Sequence, residues 1–152
     1  MKDYIKIDEW KIIEDQYVND HNQITESLLS LGNGQMGQRA NFEEDYSGPT
    51  LQGSYVAGVY YPDKTRVGWW KNGYPEYFAK VLNSCNWIGL NIFVGDEILD
   101  LNRVKEIKNF YRELDMKNGV LYRKMEVVLQ NGAQLNIESQ RITSMANKNS
   151  VL

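Results

Sequence analysis

Gly32, Gly34 and Gly37 stand in GNGQMG at the G-x-G-x-x-G spacing of a dinucleotide-binding loop. That chemistry needs a buried strand before the glycines and a helix after them, so that the helix N-terminus meets a pyrophosphate. Residues 24–31 offer a strand. The following QRANFEEDYSGP offers no helix, because Asn41, Ser47, Gly48 and Pro49 would end one almost at once. The glycines are therefore expected to be structural: a tight turn between two strands at Gly32 and Gly34, with room for a close approach at Gly37.

Other reactive residue types are sparse. Glu43, Glu44 and Asp45 form a run of acids that is expected to be a solvated face. His21, the single histidine, lies in the polar stretch NDHNQ with no Ser or Cys partner at a catalytic spacing, and is expected to be exposed. Cys85, the single cysteine, is expected to be a buried or incidental thiol. No Cys/His cluster suggests a metal site. Neither a metal nor an organic cofactor is expected, and no self-sufficient catalytic constellation emerges.

The aromatic residues are more informative. The chain carries 10 Tyr and 4 Trp, and they concentrate in the connection from Tyr61 to Cys85. That connection is long for a loop, and long loops tend to be functional or disordered. Its Trp and Tyr content argues against disorder. Arg66, Trp69, Trp70, Lys71, Tyr74 and Tyr77 are the candidate interface or sugar-contact residues, since Trp, Tyr and Arg dominate binding hot spots. The competing expectation is a flap folded over its own domain.

The elements that would position these residues are mostly strands. VLYRKMEVVLQ (120–130) and AQLNIESQRI (133–142) flank Asn131-Gly132, the signal for a type I′ hairpin. Leu121, Arg123, Met125, Val127 and Leu129 share one face. A turn at Lys117-Asn118-Gly119 puts a further strand over residues 107–115, completing a meander. Strands are also expected over 86–95, with Ile88, Leu90, Ile92 and Val94 facing the core, and over 51–61. The one helix candidate is YPEYFAKVLN (74–83). Many short strands separated by turns predict a mainly β protein, an antiparallel β-sandwich.

Bulk properties exclude several classes. The 152 residues suit one domain or part of one, and the net charge of −3 supplies no electrostatic attraction for nucleic acid. No apolar run approaches the roughly 20 residues of a membrane span, so neither partner is expected. One cysteine and no visible signal peptide suit a cytoplasmic location.

TESLLSLGNGQMGQRANFEE resembles the entry signature of the N-terminal domain of glycoside hydrolase family 65, the disaccharide phosphorylases. VYYPDKTRVGWWKNGYPEYF, within residues 53–101, is similar to its maltose-specific members, and FYRELDMKNGVLYRKMEV matches a further family strand pair. The likeness runs from about Trp10 to Met145. It implies a super-sandwich of the galactose-mutarotase-like type. For a full-length enzyme it implies inverting phosphorolysis of maltose to β-glucose 1-phosphate and glucose, with inorganic phosphate as co-substrate and one carboxylic acid protonating the leaving oxygen.

The resemblance also places the family's catalytic residues in an (α/α)6 barrel beyond this chain. The expectation is thus residues 1–146 as the N-terminal part of the sandwich, incomplete and inactive alone, and 147–152 as a polar tail at a truncation. Its partners would be the missing barrel or a second subunit, with maltose or related glucosides as ligands. A stand-alone carbohydrate-binding module and an inactive gene fragment are the alternatives.

Overall fold

A computed structural model describes residues 4–66 and 75–150. In chain order the elements are β1 (Ile5–Ile7), β2 (Lys11–Glu14), α1 (Asn22–Leu28), β3 (Leu31–Gly32), β4 (Met36–Gln38) and β5 (Ser54–Val56). There follow β6 (Tyr60–Lys64), β7 (Tyr77–Val81), β8 (Phe93–Val94), β9 (Glu97–Ile98), β10 (Glu106–Asp115), β11 (Val120–Val128) and β12 (Gln134–Ile142). Every strand pair among them is antiparallel. The mainly β expectation is borne out.

The largest sheet has the order β1-β2-β10-β11-β12, and its last three strands are the expected meander. Leu121, Arg123, Met125, Val127 and Leu129 all point inward and are buried. The hairpin turn differs from expectation. Only Gly132 has positive φ, at 87°, and its N–H donates to the Leu129 carbonyl (3.0 Å). This is a type I turn closed by a left-handed glycine rather than type I′. Glu97 favours it by accepting the Gln130 and Asn131 N–H groups at 2.8 and 2.9 Å.

Two apolar clusters cover the inner face. One contains Phe42, Leu99, Leu101, Phe110, Met125, Val127 and Leu129. The other contains Leu29, Leu31, Ala40, Leu114 and Leu121. The small sheet β3-β4-β5 and the ribbons β6-β7 and β8-β9 complete the fold.

Four expected elements are corrected. The proposed helix at 74–83 is instead β7, paired with β6 from Tyr60↔Val81 to Lys64↔Tyr77. Residues 51–61 are two strands, broken where Gly58 turns the chain with φ of 84°. Only Phe93–Val94 of 86–95 is strand, and Leu90 is exposed while Ile92 and Val94 pack on the core. Finally, the strand allowed over 24–31 is mostly helix. Its inward positions, Asn22, Thr25 and Glu26, are polar, whereas Ile24 and Leu28 are 52% and 47% exposed. An apolar period cannot reveal a helix whose apolar side chains face outward.

Candidate functional site

Glycines of the opening motif sit where strand meets strand. Gly32 and Gly37 face each other across β3 and β4, and Gly34 at the turn has φ of 85°. Asn33 between them does more. Its Oδ1 accepts the N–H groups of Gln35 and Met36 (3.0 and 2.8 Å). Its Nδ2 donates to the carbonyls of Ser144 and Lys148 (2.9 and 3.1 Å). One buried side chain therefore closes the turn and ties residues 144–148 to it.

Of the acid run only Asp45 is exposed as expected; Glu43 and Glu44 turn inward. Arg123 Nη1 reaches Glu44 Oε1 at 2.5 Å, and Arg123 Nη2 reaches Glu43 Oε2 at 2.6 Å. Arg141 Nη2 bonds Glu43 Oε1. Glu44 is buried and Glu43 partly buried because basic groups converge on them from strands about 80 to 100 residues further along, which no local pattern shows. Beside them, Arg112 Nη2 pairs with Glu14 Oε2 at 2.7 Å.

Strand register explains the arrangement. Inward positions run Phe110, Arg112, Leu114 on β10 and Leu121, Arg123, Met125 on β11, and Arg112 lies directly opposite Arg123. Two like charges so placed repel, and the carboxylates of Glu14, Glu43 and Glu44 offset them. The arginines also hold the irregular segment 39–45. Arg112 donates to the Ala40 carbonyl (2.8 Å), and Arg141 donates to those of Arg39 (2.9 Å) and Asn41 (2.8 Å). Phe42 lies under the guanidinium groups of Arg112 and Arg123 at 5.0 and 5.1 Å.

Electrostatics follow burial and pairing. Burial pushes the Glu43 carboxyl up, but Arg123 and Arg141 together outweigh it and hold it below its ordinary value. At Glu14 burial wins over Arg112 and the carboxyl is raised. Burial likewise lowers the Arg112 guanidinium, so the Glu14–Arg112 pair as a whole is costly to bury. These carboxylates are committed to arginines, and their arrangement is that of a structural layer.

Of two other single residues, His21 differs from expectation, and Cys85 departs only from the buried one of its two expected readings. His21 is half-buried and stacks on Tyr4 with ring centroids 4.3 Å apart. Cys85 is exposed. Among the described residues no group of three His, Cys, Asp or Glu side chains forms a metal-binding cluster, and no helix is long and apolar enough to cross a membrane.

Of the candidate contact residues, Trp69, Trp70, Lys71 and Tyr74 lie outside the described residues. Arg66 and Tyr77 flank them, both exposed, with Arg66 4.0 Å from Asp63. Within the connection expected as a loop or flap, the described residues on either side form a two-stranded arm, β6 paired with β7. Thr65 extends its ladder, donating its N–H to the Glu76 carbonyl (2.9 Å). Tyr60, Tyr61, Tyr77, Phe78 and Val81 are all exposed on it. Pro62 is compatible with this arm because a two-stranded ribbon has edges that need no donor.

Comparison with known proteins agrees with this architecture. The family model for the glycosyl hydrolase family 65 N-terminal domain matches residues 12–152. Maltose phosphorylase of Bacillus subtilis (strain 168) is 51% identical over 143 residues, 94% of this chain and 19% of that protein. Kojibiose phosphorylase of Caldanaerobacter subterraneus subsp. tengcongensis is 34% identical, covering 91% of this chain and 16% of its own length. Alpha,alpha-trehalose phosphorylase of Thermoanaerobacter brockii is 34% identical, with coverages of 91% and 18%.

Among solved structures, the "Putative kojibiose phosphorylase from human microbiome" superimposes with a TM-score of 0.80 at 33% identity. It covers 94% of this chain and 19% of that one. The chain thus spans less than a fifth of the length of these relatives. By sequence and by fold, the chain belongs to glycosyl hydrolase family 65 and matches its N-terminal domain.

Proposed function

We propose that this chain is the non-catalytic N-terminal portion of a maltose-phosphorylase-type enzyme. In that enzyme the reaction is phosphorolysis of maltose to β-glucose 1-phosphate and glucose, with inorganic phosphate as co-substrate and no other cofactor. The observation that carries the substrate assignment is the 51% identity to a maltose phosphorylase, against 34% to relatives acting on kojibiose or trehalose. The catalytic acid would lie in a barrel domain outside this chain. The proposed location is cytoplasmic.

Within that enzyme the role of the chain is packing against the barrel or a second subunit through the β6-β7 arm. An arm with Tyr60, Tyr61, Tyr77 and Phe78 exposed leaves aromatic area in water that docking would bury. Burial of that kind drives association.

Co-expression with the Bacillus subtilis maltose phosphorylase lacking the part matched here tests both statements. The expected result is co-purification and maltose-dependent release of glucose 1-phosphate, both lost when residues 62–79 are replaced by a short turn. Release of glucose 1-phosphate by the chain alone would overturn the non-catalytic assignment. Co-purification undiminished without the arm would overturn its docking role.

A further inference from the structure

Gly37, like Gly32, is a glycine of GNGQMG whose backbone conformation does not demand one. Its φ is not positive, and a Cβ there would meet only ordinary contacts, 3.9 Å from the Leu31 carbonyl oxygen and from Tyr55 Cβ. What it leaves open is a cleft of about 270 Å³ between α1, β4 and β5, shared with Ser27, Ser30, Arg39 and Tyr55.

A second glycine builds the wall of this cleft. A Cβ on Gly53 would fall 2.6 Å from Tyr55 Cε2 and 2.7 Å from both the Tyr55 hydroxyl and Arg39 Cδ. The ring of Tyr55 and the stem of Arg39 therefore lie side by side against the Gly53 α-carbon. Backbone pairing fixes this geometry, because the Arg39 N–H donates to the Gly53 carbonyl at 2.8 Å.

The hydrogen-bonding groups at the cleft are of both kinds. Ser27 donates its hydroxyl proton to the Gln23 carbonyl and Ser30 donates to that of Ser27 (3.1 and 2.8 Å), so both oxygens remain as acceptors. Arg39 uses Nη1 on Ser27 Oγ (2.8 Å). Among the described residues its guanidinium forms no ion pair, and the Tyr55 hydroxyl makes no hydrogen bond. Donors and acceptors thus alternate beside an aromatic face.

We infer that this cleft binds one ring of a neutral pyranoside. Each sugar hydroxyl both donates and accepts, matching the free Arg39 N–H groups and Tyr55 hydroxyl on one side and the serine oxygens on the other. The C–H face of the ring packs on Tyr55, an amphipathic side chain suited to this. An oxyanion matches less well, since the serine protons are committed and the carbonyl end of α1 carries negative potential. The site does not depend on the phosphorylase assignment, which dictates only maltose as one of the probes.

The test is an NMR titration of the 15N-labelled chain with glucose, maltose and, separately, inorganic phosphate. Saturable millimolar shifts confined to the amides of Ser30, Gly37, Arg39, Gly53 and Tyr55, given by the sugars and not by phosphate, are expected. Gly37→Leu, which fills the cleft, and Arg39→Gln, which removes the fork, should each weaken binding roughly tenfold or more. Thermal melts report whether each variant is folded, and Arg39→Gln decides if Gly37→Leu is not. Sugar shifts that are absent, non-saturating or located elsewhere overturn the site, as does a response to phosphate alone. Undiminished binding by the folded variants overturns it equally. None of these outcomes bears on phosphorolysis by the co-expressed enzyme, so the two readings fail separately.

Discussion

At the scale of single residues, Asn33 and Arg123 hold most of the interest. Asn33 satisfies four backbone groups with one side chain, and Asn33→Ala leaves all four of these part-buried groups without that partner. It should cost about 2–3 kcal/mol, measured by urea unfolding. Gly34→Ala forces an alanine to φ of 85° and should cost about 1–2 kcal/mol. Gly37→Ala, in ordinary van der Waals space, should change stability by less than about 1 kcal/mol. Equal losses at both glycines would refute this division of labour. Arg123→Ala would strand Glu44 in the interior, while Glu43 keeps Arg141, at about 3–5 kcal/mol. The motif itself was legible as a turn, since QRANFEEDYSGP cannot make the helix a nucleotide requires. The work of Asn33 was not, because its partners Ser144 and Lys148 lie more than a hundred residues away.

At the scale of elements, legibility followed the direction in which apolar side chains point. The β10-β11-β12 meander was readable because its inward positions alternate with polar ones and Asn-Gly sequences punctuate it. Helix α1 was hidden because Asn22, Thr25 and Glu26 face inward. They are held there by specific partners: Arg112 for Asn22, Glu14 for Thr25, and Thr50 with the Leu51 N–H for Glu26. The sequence of β7 reads equally as a helix, because Pro75 and a run of aromatic and aliphatic residues fit either. Pairing with β6 decided the matter, since short isolated helices are marginal in water. The arm these strands form contributes little to the packed interior. Tyr61→Ser and Phe78→Ser should each alter unfolding free energy by less than about 0.5 kcal/mol. A shift of several degrees in melting temperature would show that the arm packs on its own domain instead.

At the scale of the whole molecule, the arginine layer joins the sheet to the segment that covers it, and its response to acid is calculable in sign. Glu43 is held below its ordinary value of 4.5, so it contributes stability at pH values above 4.5 that is lost as pH falls through its lower folded value. Glu14 is raised and acts in the opposite sense, since its protonation is easier in the folded state. Glu43→Gln should therefore destabilise the protein at pH 7, with the difference from wild type shrinking below pH 4.5. Melting temperatures recorded from pH 7 to pH 3.5 check this, and a constant difference across that range would refute it.

Fold class, family and the meander are legible along the chain, because they rest on local alternation, turn residues and a long distinctive run of residues. Three features come from the three-dimensional arrangement instead: Glu44 is buried and Glu43 partly so, α1 is a helix, and β6 and β7 pair as an arm. Each depends on partners remote in the chain: arginines on β11 and β12, carboxylates and carbonyls around α1, and the pairing of β6 with β7. A buried charge is affordable only where its counter-charges converge. Such convergence is a property of three-dimensional register, so a glutamate run reads as solvent-facing until the opposing strands are in place.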